Sequence, residues 1–356
     1  MRLMKICYVY DDLFNYQQNQ NVLKGLEEHN IDIIRITSKS KYLAIRNLSK
    51  LLKFLLLRKN YDIIIVGMIG QFIAPIIAKL TKKPIIFYPF ISLYGTVVED
   101  RGYFSKDSLL GKLSLYLDRK SVLVSEKCIL DTYEHIRYWT EDLNLPREKF
   151  ERVFVGSNDE IFYPRQRTRK EDGDFSVRFY GSYIPAQGVE IIIEAANVLK
   201  KDNKIKFSLL GKGGPNYEDC RNLAKQLRLG NITFLDTVPL YELPDFIKNA
   251  DVILGMFSST KKFNTSIANK VYQAWAMKMP TITAESDGCK DLLVHRENAM
   301  LSKQMDPKSL AEAILELKNN PELRNKIAIN GYKTFKENAT PGIIAKEVIE
   351  ILEKVI

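Results

Sequence analysis

Ile267-Ala268-Asn269-Lys270-Val271-Tyr272-Gln273-Ala274-Trp275-Ala276-Met277-Lys278-Met279-Pro280-Thr281-Ile282-Thr283 reads as a short helix running straight into a β-strand. Spacings of three and four residues turn Asn269, Lys270 and Gln273 toward one side of that helix. The helix start adds backbone N–H groups and a partial positive charge, which suit an anion. A phosphate-bearing ligand is one reading, and a surface turn capping an ordinary α/β helix is the other.

The same helix-to-strand order extends outward on both sides. After a strand at 175–180 come helix 188–200, strand 206–210, helix 217–227, strand 232–235, helix 240–248 and strand 252–256. Helices at 307–318, 321–337 and beyond Pro341 follow the quoted stretch. The first half alternates likewise, with β-rich runs at 5–10, 31–36, 61–66 and 84–88 separated by helical patterns at 17–28, 42–57 and 71–80. Such alternation builds parallel sheets covered by helices on both faces. Between the halves, 165–174 is polar throughout, as in an exposed linker. The expected organisation is α/β: a Rossmann-like domain over 1–164, the linker 165–174, a second Rossmann-like domain over 175–338, and a helix at 339–356 packing back toward the first domain.

A length of 356 residues fits two such domains, and 46% hydrophobic with 27% charged residues is ordinary for a globular chain. Cys7, Cys128, Cys220 and Cys289 show no metal-ligand spacing and fit a reduced compartment. No secretion signal or apolar run of membrane-spanning length is visible. These features point to a cytoplasmic protein. The net charge of +10 is concentrated, since 33–61 holds eight basic residues and no acidic one. There Ile45, Leu48, Leu52 and Leu55 recur at helical spacing, while Arg46, Lys50 and Lys53 mark another face. A basic helix lying on an anionic membrane at the inner face of the plasma membrane is one expectation; a core-packed helix with a solvated basic face is the other. Nothing in this distribution calls for nucleic acid.

Two further turns share the logic of the opening stretch. Gly181-Ser182 follows the strand ending at Tyr180, with Gln187-Gly188 opening the next helix, and Gly211-Lys212-Gly213-Gly214 follows the next strand. Glycine admits close backbone approach, and helix starts donate N–H groups to phosphate. A dinucleotide fingerprint would need G-x-G-x-x-G after the first strand of a unit; 8–15 has no glycine, and the turn at Gly211 lacks the third.

These residues resemble the family 4 retaining glycosyltransferases of the GT-B fold, of the bacterial and archaeal group 1 type. The stretch 155–164, ending in Phe162-Tyr163-Pro164, is similar to the family's interdomain segment. Tyr180-Gly181 with Gln187-Gly188 is similar to its first donor loop, and Asn269-Lys270-Val271-Tyr272-Gln273-Ala274 to its nucleotide-sugar loop. Ser92, Tyr94, Thr96, Asp131 and His135 fall in stretches that resemble N-terminal acceptor-side motifs. The resemblance implies two Rossmann-like domains facing across a cleft and a nucleoside-diphosphate sugar on the second. It also implies a glycan or lipid-linked acceptor on the first, and retention without a metal or other cofactor. Lys270 and Lys212 would meet the leaving diphosphate, Gln273 the ribose, and backbone at Val238 and Pro239 the base. Gly181, Ser182, Gln187, Gly188, Gly211, Gly213, Thr265 and Asn269 complete the donor set. The chain departs from the pattern at Ser182 and Gln187, where many members carry Arg and Lys, and at Thr265 and Gln273, where paired glutamates are usual. A non-catalytic sugar-nucleotide or glycan-binding partner of another transferase is the competing reading.

Overall fold

The computed structural model describes residues 4–11, 17–57, 60–168 and 173–356. The chain divides into two compact units, one of residues 1–156 with 340–356 and one of 157–339.

The first unit contains β1 (Lys5–Val9), α1 (Gln17–Glu28), β2 (Asp32–Ile36), α2 (Leu43–Leu56), β3 (Ile63–Val66), α3 (Ala74–Leu80) and β4 (Ile85–Phe87). They are followed by α4 (Leu109–Leu123), β5 (Lys127–Leu130), α5 (Tyr133–Arg137) and β6 (Phe150–Arg152). Its strands lie in the order β2-β1-β3-β4-β5-β6, every pairing parallel. β3 is Ile-Ile-Ile-Val and wholly buried, as expected of a strand covered on both faces.

The second unit contains β7 (Phe175–Tyr180), α6 (Val189–Val198), β8 (Ile205–Leu210), α7 (Tyr217–Gln226), β9 (Ile232–Leu235), α8 (Leu243–Ile247) and β10 (Val252–Leu254). After these come α9 (Lys261–Asn264), α10 (Asn269–Ala276), β11 (Thr281–Ala284), β12 (Met300–Ser302), α11 (Pro307–Asn319) and α12 (Pro321–Asn338). The order is β12-β11-β10-β7-β8-β9, again all parallel. The chain reverses direction across this sheet between β7 and β10. Open parallel sheets bind ligands beyond their strand C-termini at such a point.

The last helix, α13 (Pro341–Glu353), starts at Pro341 with Thr340 accepting a hydrogen bond from the Ile343 N–H, and it packs on α1 in the first unit. Gly25 makes the approach possible, because a Cβ there would overlap the Pro341 carbonyl. The division of the chain falls at Gly156, ahead of the expected boundary at 164. Asp159 lies 3.7 Å from Lys336, and Phe162 is fully buried. Nor does 165–168 run free as a linker: Arg167 pairs with Asp251 at 2.9 Å, and the Thr168 N–H donates to Asn249.

Helix α2 corrects both readings of the basic stretch. Arg46 and Lys50 face inward, 4% and 1% exposed, and both meet the Asp11 carboxylate beyond β1, at 2.9 and 2.6 Å. Neither offers a charge to a membrane surface. Lys53 remains exposed and donates to the Thr37 carbonyl. A buried carboxylate must be paired or protonated, and two basic side chains one turn apart supply the pairing. Among the described residues no helix is long and apolar enough to cross a membrane.

Candidate functional site

Three turns converge where β7 and β10 part. Positive φ favours glycine at Gly181, Gly188 and Gly211 in the first two turns, and at Gly188 and Gly211 space requires it as well. Gly181 and Gly211 have φ of 149° and 140°, and a Cβ on Gly211 would overlap the Gly181 carbonyl oxygen. Gly188, at φ 63°, begins α6, and a Cβ there would meet the backbone of Phe257 at 2.7 Å. The Phe257 N–H in turn donates to the Gln187 carbonyl at 3.1 Å, joining the turn after β7 to the segment after β10.

Into this junction α10 projects Lys270. The helix starts at Asn269 with Ala268 at its N-cap, so no side-chain oxygen caps its first turn. The Lys270 ammonium is 6% exposed, bonds to Gln187 Oε1, lies 3.4 Å from the Gly255 carbonyl, and sits 4.1 Å over the Phe179 ring. Among the described residues no carboxylate forms an ion pair with it. Burial lowers its pKa from 10.5 to about 7. A cation at the positive end of a helix, desolvated and without a counter-ion, is electrostatically arranged for an incoming anion. One turn on, Gln273 is buried and accepts a hydrogen bond from Tyr180 at 2.8 Å.

The other sequence candidates divide. Gln187 is drawn into the site by Lys270 itself, Ser182 is exposed beside it, and Asn269 holds the first position of α10. Thr265 is buried at the end of α9, where its hydroxyl donates to the Lys262 carbonyl. Lys212 is 62% exposed on the turn after β8 and lies 3.8 Å from Asp236, a weak surface pair. Gly213 lies in open space on the same turn. Val238 is half-buried and Pro239 exposed on the segment after β9. Phe179 and Gly255 were not anticipated, and Tyr180 entered only as part of the donor-loop motif. The one available signal was Gly255, a glycine directly after an apolar strand.

On the first unit, Ser92 is committed to local structure. Its hydroxyl donates to Asp118 at 2.7 Å and accepts from the Gly95 N–H at 2.8 Å. Asp118 also accepts from the Leu93 and Tyr94 N–H groups, while burial raises its pKa to about 6. The Thr96 hydroxyl donates to the Ser92 carbonyl. Asp131 and His135 form a separate buried pair, with Nδ1 2.6 Å from Oδ1, and Thr132 caps α5 between them. The carboxylate holds an N–H at Nδ1 and so fixes the orientation of the ring. Among the described residues no three His, Cys, Asp or Glu are grouped to hold a metal ion.

Comparison with known proteins finds similarity to glycosyltransferases. Residues 163–334 match the family model described as Glycosyl transferases group 1. An uncharacterized glycosyltransferase of Methanocaldococcus jannaschii is 27% identical over 186 residues, an alignment covering 52% of this chain and 48% of that protein. The capsular polysaccharide biosynthesis glycosyltransferase CapM of Staphylococcus aureus is 23% identical over 350 residues, covering 91% and 86%. Sucrose-phosphate synthase from Thermosynechococcus elongatus superposes with a TM-score of 0.78 at 14% identity, covering 99% and 98% of the two chains. HepE of Anabaena in complex with UDP-glucose superposes with a TM-score of 0.74 at 14% identity, covering 99% and 100%. The solved structures establish the two-domain α/β architecture of GT-B glycosyltransferases, and the sequence matches support a group 1 glycosyltransferase.

Proposed function

We propose that the chain is a family 4 glycosyltransferase. It moves a hexosyl unit from a nucleoside-diphosphate sugar to a glycan or lipid-linked acceptor, with retention and without a metal or other cofactor, in cell-surface polysaccharide or glycoconjugate synthesis on the cytoplasmic side. One observation carries this reading: the Lys270 ammonium is buried at the strand-order reversal beside the glycine turns after β7 and β8, with no ion-paired carboxylate among the described residues. In transfer, the bond from the anomeric carbon to the diphosphate oxygen breaks and a bond to an acceptor hydroxyl oxygen forms. Charge grows on the departing diphosphate, and a fixed cation with oriented N–H dipoles stabilises it without reorganising. Lys270 is that cation, with Lys212 at the rim. Gln273 binds the ribose through its amide, oriented by Tyr180. Asp131 and His135 serve as the acceptor-side pair, Asp131 orienting the imidazole that takes the acceptor proton.

The departures at Ser182, Gln187, Thr265 and Gln273 favour one second reading, a chain that binds sugar nucleotide without turning it over. Titration with UDP-, GDP- and dTDP-sugars, followed by transfer assays with NMR of the product anomer, separates the two. UDP-glucose is the first donor to try, because HepE binds it. Loss of a charge-assisted contact in Lys270→Met should weaken nucleotide binding roughly tenfold to a hundredfold. An unchanged dissociation constant would remove the proposed site, and tight binding without transfer would select the second reading.

A further inference from the structure

Helix α2 is amphipathic in the reverse of the usual sense: its charged side is buried and its apolar side meets water. Arg46 and Lys50 are spent on Asp11, while Ile45, Leu48, Leu52 and Leu55 are 56%, 58%, 53% and 58% exposed and Leu56 is 81% exposed. The spacing of three and four residues makes them one stripe. Helix α4 continues the pattern with exposed Leu109, Leu113 and Tyr116. Both helices cover the same side of the first sheet, because Phe54 of α2, Ile77 of α3 and Val122 of α4 join one core cluster. Single exposed leucines are common on protein surfaces, but a continuous stripe marks a contact face.

The charges beside the stripe identify its occupant. Lys41 precedes the stripe and Lys53, which donates to the Thr37 carbonyl, borders it between Leu52 and Leu56; both are exposed, and 33–61 contains no acidic residue. A second copy joined by a two-fold axis would set this lysine-bearing face against itself, placing like charges in one interface. A bilayer with anionic lipid offers an apolar interior to the leucines and negative headgroups to the lysines at once. We infer that the exposed stripe of α2, flanked by Lys41 and Lys53, docks the chain into the interface of an anionic membrane. Arg46 and Lys50 hold the helix in that orientation from beneath. This inference stands independently of the donor site.

The test is cosedimentation of the full chain with phosphatidylcholine vesicles, with and without phosphatidylglycerol. The wild-type chain should pellet with the anionic vesicles. The triple substitution Leu48→Gln, Leu52→Gln, Leu55→Gln should lower partitioning by at least about tenfold. Its positions are exposed, so its thermal transition and its nucleotide binding should match the wild type. Lys41→Glu with Lys53→Glu should abolish the preference for phosphatidylglycerol. Equal pelleting of wild type and triple variant, or no pelleting of the wild type, would overturn the inference. So would a wild-type dimer in sizing experiments that the triple variant abolishes.

Discussion

Lys270 places an ammonium where it is disfavoured twice, by burial and by the positive end of α10, and this has a consequence for pH. Its folded pKa of about 7 lies below the ordinary 10.5. Between those values the unfolded chain holds a proton that the folded, ligand-free chain lacks. This group's destabilising contribution is therefore complete below pH 7 and fades as pH rises toward 10.5. An anionic ligand restores the proton. Nucleotide binding above pH 7 should take up a proton, and affinity should fall as pH climbs; calorimetry in buffers of different ionisation enthalpy measures the uptake. Lys270→Met should show no such uptake and should be more stable without ligand by about 1–2 kcal/mol. At Gly211 a Cβ meets backbone rather than a movable side chain, so Gly211→Ala should cost roughly 2–4 kcal/mol in urea unfolding. The position of Lys270 was legible in the sequence, but its partner Gln187, 83 residues away, was not. Lys212 shows the converse: a lysine in a glycine turn had the right chemistry, yet it stands 62% exposed beside Asp236.

Helix α2 shows what periodicity does and does not specify. The repeat of Ile45, Leu48, Leu52 and Leu55 against Arg46, Lys50 and Lys53 correctly separates two faces. It carries no information about which face meets the sheet. That is settled by Asp11, 35 and 39 residues before its two cationic partners. Arg46 and Lys50 both meet Asp11 on Oδ1, so this carboxylate compensates charge on two buried cations. Asp11→Asn should leave two charges under-compensated and destabilise the chain by about 3–5 kcal/mol, with faster amide exchange along α2. Replacing the whole cluster, Asp11→Leu with Arg46→Met and Lys50→Met, should be close to neutral, because no buried charge remains unpaired. Urea unfolding of the two variants checks the contrast. Equal losses would mean that packing by the long side chains, rather than charge compensation, holds the helix.

At the scale of the whole molecule, the repeated strand–helix order made two parallel sheets legible, because a parallel connection demands a crossover helix. The exact division was not legible. The residues that draw 157–168 into the second unit, Asp159 and Arg167, find their partners at Lys336 and Asp251, which no local pattern announces. The last helix is the strongest test of this organisation, since α13 is far from α1 in sequence and packed on it in space. Its Ile344, Ala345, Val348 and Leu352 are fully buried in the core cluster that contains Val22, Leu23 and Leu26 of α1. At roughly 1.5–3 kcal/mol for each large apolar side chain, removing 340–356 forfeits an amount comparable to the whole stability of an ordinary domain. The truncated chain should therefore lose the unfolding transition of the first unit and keep that of the second. Limited proteolysis should leave a resistant fragment close to 157–339 that still binds the nucleotide. Two intact transitions after truncation would show that α13 merely covers the first unit, and loss of both would show that the units do not fold separately.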